Sequence, residues 1–171
     1  SDLALMNGLC YIILQQGWQD KTFIKKRTTG FSAFKKHIME NYAPQEVANI
    51  TGIEVTDLYE LAKVYAKSSA AMSAWTMGVN QSSIGTDTVS AICNLSLITG
   101  NLGRKGATAL SITGQCNAMG TRETGFTSSI PGYRNFANAQ DREEYAQLVN
   151  VPVEDVPTKR GYSYPQIIDA I

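Results

Sequence analysis

The chain has 171 residues, 43% of them hydrophobic, which is enough for a single globular domain with a core of its own. Fifteen basic residues balance fifteen acidic ones, so no global field draws the chain to nucleic acid or to an anionic membrane surface, and a small anion would have to be caught locally. Three scattered cysteines, Cys10, Cys93 and Cys116, and the single His37 exclude a metal site and a Ser-His-Asp mechanism built from this chain alone, and the odd thiol count points to a reducing compartment. No apolar run approaches the roughly 20 residues needed to span a bilayer, and no signal sequence opens the chain.

In chain order, Leu3, Met6, Cys10, Ile13 and Leu14 recur at helical spacing, and Leu5, Leu9 and Ile12 widen the stripe until the helix should be buried on most sides. Gly17 marks its stop, Asp20 can cap a short helix through Phe23 and Ile24, and a further helix is predicted from Phe31 to Asn41. Pro44 opens another turn. Val55, Leu58, Leu61, Ala62 and Tyr65 define an amphipathic helix with acids early and bases late, as the helix dipole favours. Residues Ala70 to Thr76 read as a buried strand. Thr86 to Thr99 reads as a central helix with Val89, Ile92, Cys93, Leu95, Leu97 and Ile98 around its surface, stopped by Gly100. From Asn101 to Pro131 the composition turns to Gly, Ser, Thr and Asn without periodicity, which predicts one long functional loop. Helix signals return around Gln140 to Val149 and Tyr164 to Ile171, separated by Pro152 and Pro157. Cys10 and Cys93 sit in apolar helical patterns and are expected to be small buried hydrophobes. The fold class is α/β: a helix-rich portion of a Rossmann-like parallel-sheet domain, with one evident strand where such a sheet needs several.

Two stretches carry chemistry. Met77 to Gln81 leaves a strand and enters a helix, where free amide groups can meet a phosphate or a heterocycle, and Gln81 can both donate and accept. The plainer alternative makes Met77 core and lets Asn80 and Gln81 satisfy a turn. Between Thr113 and Gly125, Gln115 and Asn117 offer amides, and Arg122 offers a fixed cation able to grip an oxyanion through two parallel hydrogen bonds. An ion pair between Arg122 and Glu123 is the structural alternative. Neither the G-x-G-x-x-G nor the P-loop pattern is present.

The runs WTMGVNQSSIGTD (75–87), AICNLSLITGNLGRKGA (91–107) and SITGQCNAMGTRETG (111–125), with SDLALMNG and GWQDKTFIKKRTTGF before them, closely resemble the large molybdopterin oxidoreductases. The match is best to the catalytic subunit of bacterial nitrate reductases of assimilatory and periplasmic type. Only Thr121 separates Gly120 from Arg122, one residue fewer than in some periplasmic members, which favours the assimilatory branch and a cytoplasmic setting over a periplasmic one. The resemblance implies a molybdenum bis-molybdopterin guanine dinucleotide cofactor, a 4Fe-4S cluster elsewhere in the parent enzyme, and reduction of nitrate to nitrite. It also implies roles for particular residues. Asp2 matches a guanine-contacting acid, Met77, Gly78 and Gln81 match positions at the cofactor and active-site floor, and Gln115 matches a polar residue beside the pterin. Arg122 matches a funnel arginine that orients nitrate. No residue here matches the family's metal ligand or its cysteine cluster, because Fe–S ligation needs clustered thiolates. The chain is therefore expected to be an internal portion of a larger enzyme, inert alone, whose partners are the remaining domains, nitrate and an unidentified electron donor. A formate dehydrogenase of the same superfamily is the nearest rival. A helical interaction module without chemistry is the rival of another class.

Overall fold

A computed structural model describes residues 1–171 except Thr113 and Phe126–Ser128. Thr113, expected to open the polar stretch, thus lies outside the described residues. The chain divides into two compact units, Ser1–Gly114 and Gln115–Ile171.

In the first unit, α1 (Asp2–Gln15) is the central helix. Its residues Leu9, Cys10, Ile12 and Ile13 are fully buried, as a stripe that runs almost round the helix requires. Around it pack α3 (Phe31–Asn41), α4 (Pro44–Thr51), α5 (Val55–Lys67) and α7 (Gly85–Ile98), which contribute Ile38, Val47, Leu58, Leu95 and Ile98 to one core. Gly8 sets the approach of α1 to α4, since a Cβ there would stand 2.7 Å from Val47 Cγ1. Between α1 and α3 lies α2 (Lys21–Arg27), whose N-cap Asp20 accepts from Phe23 N–H at 2.8 Å. Gly100 follows α7 with φ +65°, the left-handed turn a glycine stop supplies.

Two strands, β1 (Met72–Trp75) and β2 (Thr108–Ser111), pair in parallel with Met72 opposite Thr108 and Trp75 opposite Ser111. Between them the chain passes through α6 (Met77–Asn80) and α7, so the connection is a helical crossover of the kind parallel strands need. More than half of the chain is helical, and the sheet among the described residues has these two strands.

Several expectations need correction. The strand at 70–76 exists but is not buried: its residues alternate between exposed and half-buried, because one face of the pair meets α5 and α7 and β1 has one strand neighbour among the described residues. The stretch from Asn101 to Pro131 is not one continuous loop. It carries β2, held by pairing with β1, and α8 (Ala118–Glu123), started by its own cap. On α7 the buried face uses Gly85, Thr88, Ala91 and Ser96 beside the apolar residues, while Val89, Cys93 and Leu97 are only half-buried.

The second unit has its own small core of Ile130, Ala146 and Val156, with Phe136 and Tyr145 against it. Here α9 (Ala139–Val149) is capped by Asn138, which accepts from Gln140 N–H at 3.0 Å, and Arg134 pairs with Glu144 at 3.3 Å. A 3-10 turn (Val153–Asp155) and α10 (Tyr164–Asp169) complete it. Among the described residues no helix is long and apolar enough to cross a membrane.

The three thiols differ in reactivity as a result. Burial pushes the Cys10 thiol far above its ordinary range, whereas Cys93 is half-buried and Cys116 exposed. Alkylation of the native chain is expected to modify Cys116 first, Cys93 more slowly and Cys10 only on unfolding, read by mass spectrometry of labelled peptides. Early labelling of Cys10 would contradict this packing.

Candidate functional site

The carboxyl end of β1 is built by a short run of local constraints. Trp75 O accepts from Ile112 N–H at 2.7 Å, which prolongs the sheet by one bond past the last strand pair. Thr76 then leaves the strand conformation, and its carbonyl accepts from both Val79 and Asn80 N–H to start the single turn α6. Gln81 N–H closes it onto Met77 O at 2.9 Å. Gly85 begins α7 directly beneath this turn, since a Cβ there would meet Val79 O at 2.8 Å and Asn80 O at 2.9 Å. Any larger residue would push α6 away from α7.

The start of β1 is fixed by a second group that sequence reading missed. Asn101, 1% exposed, accepts at Oδ1 from Ala71 N–H at 3.1 Å and from Arg104 Nη2 at 2.6 Å, and donates from Nδ2 to Thr99 Oγ1 at 3.0 Å. Arg104 also donates to Gly100 O and to Ser69 O. One buried carboxamide therefore ties the end of α7 to the segment that enters β1. Tyr65 OH adds a second tie, at 3.0 Å from Ser73 Oγ and 3.1 Å from Ser96 Oγ. The only hint in the sequence was an Asn directly after a helix-stopping Gly.

These elements enclose a cleft of about 570 Å³, in the size range of small-molecule sites. Asp2 from the first turn of α1, Trp75 and Thr76 from the strand end, and Gly78 and Val79 from α6 line it, over a floor that includes Leu9 and Leu95. Asp2 and Gly78, far apart in sequence, thus share one cavity. Met77 and Gln81 ride on the same turn but do not line the cleft; Met77 is half-buried and Gln81 exposed. Chemically the cleft offers a carboxylate that accepts hydrogen bonds, an indole face, and main chain at Gly78 with open space where a Cβ would stand. With its otherwise largely apolar lining, that set suits a planar group carrying N–H donors.

The second unit carries the other candidates. Gln115 is exposed ahead of α8, and Arg122 is exposed in the last turn of α8. Asn117 is not a free ligand amide: its Oδ1 accepts from Gly120 N–H at 3.2 Å and caps α8. A Cβ on Gly120 would fall 2.5 Å from that same side chain, which accounts for a glycine inside this short helix. The anticipated Arg122–Glu123 ion pair is not formed; among the described residues the ion pairs are Lys36–Glu40 and Arg134–Glu144. Among the described residues no group of three or more His, Cys, Asp or Glu side chains converges as a metal site.

The family described as molybdopterin oxidoreductase matches residues 1–163, and the chain belongs to it. It is 33% identical to formate dehydrogenase H of Escherichia coli (strain K12) over 98% of its own length and 23% of that protein. It is 35% identical to a nitrate reductase of Synechocystis sp. over 95% of its length and 23% of that protein. Among solved structures, acetylene hydratase from Pelobacter acetylenicus superposes with a TM-score of 0.59 at 27% identity, covering 61% of this chain and 14% of that one. The chain therefore spans about a quarter of the length of the curated relatives it matches.

Proposed function

We propose that this chain is part of the catalytic subunit of a molybdenum-dependent nitrate reductase, where it supplies part of the cradle of a bis-molybdopterin guanine dinucleotide cofactor and part of the substrate funnel. The observation that carries the reading is the shared cleft: Asp2 and Gly78 line one cavity that runs along β1 and reaches the turn at its carboxyl end, where ligands of parallel α/β sheets bind. In this reading β1 and β2 belong to a larger Rossmann-like sheet completed by other segments of the protein.

Each residue then has a defined task. The Asp2 carboxylate accepts hydrogen bonds from the N–H edge of guanine, a pairing that a carboxylate makes well. Gly78 leaves the main chain bare so that the cofactor can approach it closely. Met77 and Gln81, carried on the same turn but outside the lining of this cleft, would meet the cofactor from another side of the turn, and Gln115 contributes a donor and an acceptor beside the pterin. Arg122 holds the substrate anion in one orientation through its planar pair of N–H donors. When bound, the cofactor supplies a metal that exchanges two electrons and one oxygen atom with the substrate, so that nitrate, two electrons and two protons give nitrite and water. A 4Fe-4S cluster in another part of the protein and a separate donor protein would deliver the electrons, in the cytoplasm or, alternatively, the periplasm.

A second reading has specific support. Formate dehydrogenases match as well as nitrate reductases do, and formate is also a small anion that Arg122 could orient.

The cradle is tested by the full-length protein with Asp2→Ala. Molybdenum and the guanine nucleotide released by acid hydrolysis are both expected to fall about tenfold per protein. Unchanged guanine content would remove Asp2 from the cradle, and molybdenum without guanine in wild type would overturn the dinucleotide form.

A further inference from the structure

We infer that Asn80 is a positioning residue which fixes the Met77–Gln81 turn over the cleft by tying it to the ends of both strands. This inference rests on the cradle reading above. Four residues of helix are too few to be stable by their own backbone bonds, since nucleation of a turn is unfavourable in isolation. What holds α6 must therefore come from outside it. The Asn80 carboxamide provides it in both of its capacities. Its Oδ1 accepts from the Trp75 indole Nε1–H at 3.0 Å, and its Nδ2 reaches Ser111 Oγ at 3.5 Å. Trp75 and Ser111 are register partners, the last pair of the parallel sheet, so one side chain spans the seam where β1 and β2 end. Gly85 adds a further constraint, because its missing Cβ allows α7 to lie against the carbonyls of Val79 and Asn80.

The turn is thus held by Trp75, Ser111 and the close approach at Gly85, and Gly78, which lines the cleft, is carried on it. Few other side chains can replace Asn80 in this role. An Asp can accept from the indole and from the Ser111 hydroxyl turned to donate, but it brings a negative charge to the seam, and an Ala can make neither bond. Asn80 is absent from the residues that line the cleft, so its influence on the bound group passes through the geometry of the turn. Supporting groups of this kind set the precision of a site even though they never touch the ligand.

The experiment compares full-length wild type with Asn80→Ala, Asn80→Asp, Trp75→Phe and the Asn80→Ala/Trp75→Phe double variant. The readouts are molybdenum retained through prolonged dialysis, and kcat and KM measured separately. Asn80→Ala and Trp75→Phe are each expected to lower retention and kcat about tenfold with KM little changed, and Asn80→Asp to fall between them and wild type. The double variant is expected to lose less than the product of the two single losses, since the Trp75–Asn80 bond is common to both, while Trp75→Phe also alters the cleft lining and Asn80→Ala also releases Ser111. Losses that multiply would show two independent effects and overturn the inference. So would an Asn80→Ala variant equal to a loaded wild type, which would leave the cradle reading intact. A wild type that holds no molybdenum would overturn the cradle reading and this inference together.

Discussion

Replacement of Arg122 by Ala in the full-length protein is expected to lower kcat/KM for nitrate about 10²- to 10³-fold while molybdenum content stays at the wild-type level. The separation of the two readouts follows from where Arg122 stands. It is exposed in the last turn of α8, forms no ion pair among the described residues, and belongs to no buried cluster there. Ala is the best helix former, so the substitution removes a guanidinium without disturbing the helix that carries it. The loss should therefore fall on anion orientation and leave the cofactor in place. Arg122→Lys is expected to recover only part of the rate, because a point charge cannot reproduce two parallel donors. Activity retained in Arg122→Ala would exclude the residue from the funnel.

The largest loss of stability is expected at Asn101, not at any residue singled out as functional. Asn101→Ala should lower the unfolding free energy by about 3 kcal/mol, measured by urea denaturation. The side chain is almost wholly buried, and its removal leaves the Ala71 N–H and one arm of Arg104 without their partner. A buried polar group left without its partner costs about 1–3 kcal/mol, here chiefly the Ala71 N–H and the void left by the carboxamide, since Arg104 is exposed and its freed arm meets water. Asn101→Ala and Arg104→Ala should be strongly non-additive, since both dismantle one network. A change below about 0.5 kcal/mol would place the Ala71 segment under some other control.

The helices of the first unit were legible because their information is local. The nearly continuous apolar circumference of α1, the Asp20 cap and the amphipathic pattern of α5 all appear within the helix they describe. The four residues of β2 are too few to show a period, and pairing with β1 decides their conformation. The six residues of α8 hide in a polar, glycine-rich run until the Asn117 cap is seen. A similar division runs through the site. The motif around Gly78 stands out in the sequence and Asp2 enters through the family resemblance alone, and the fold brings the two to one cleft. Met77 and Gln81 were expected at the cofactor from their side-chain chemistry and from the resemblance, yet neither is among the residues that line this cleft. Asn80 and Asn101 could not be assigned from sequence, since each acts through partners brought near by folding: Ser111 for the first, Ala71 for the second. An exposed amide and a buried one look alike until those partners are known.

The most direct measurement is kcat/KM of the full-length wild-type protein, with molybdenum content determined, for nitrate reduction with an artificial donor and for formate oxidation with an artificial acceptor. Turnover of nitrate is expected, with formate oxidation at least about 10²-fold weaker, as suits a site organised around one anion. A molybdenum-loaded protein that oxidises formate and leaves nitrate untouched would contradict the nitrate reading.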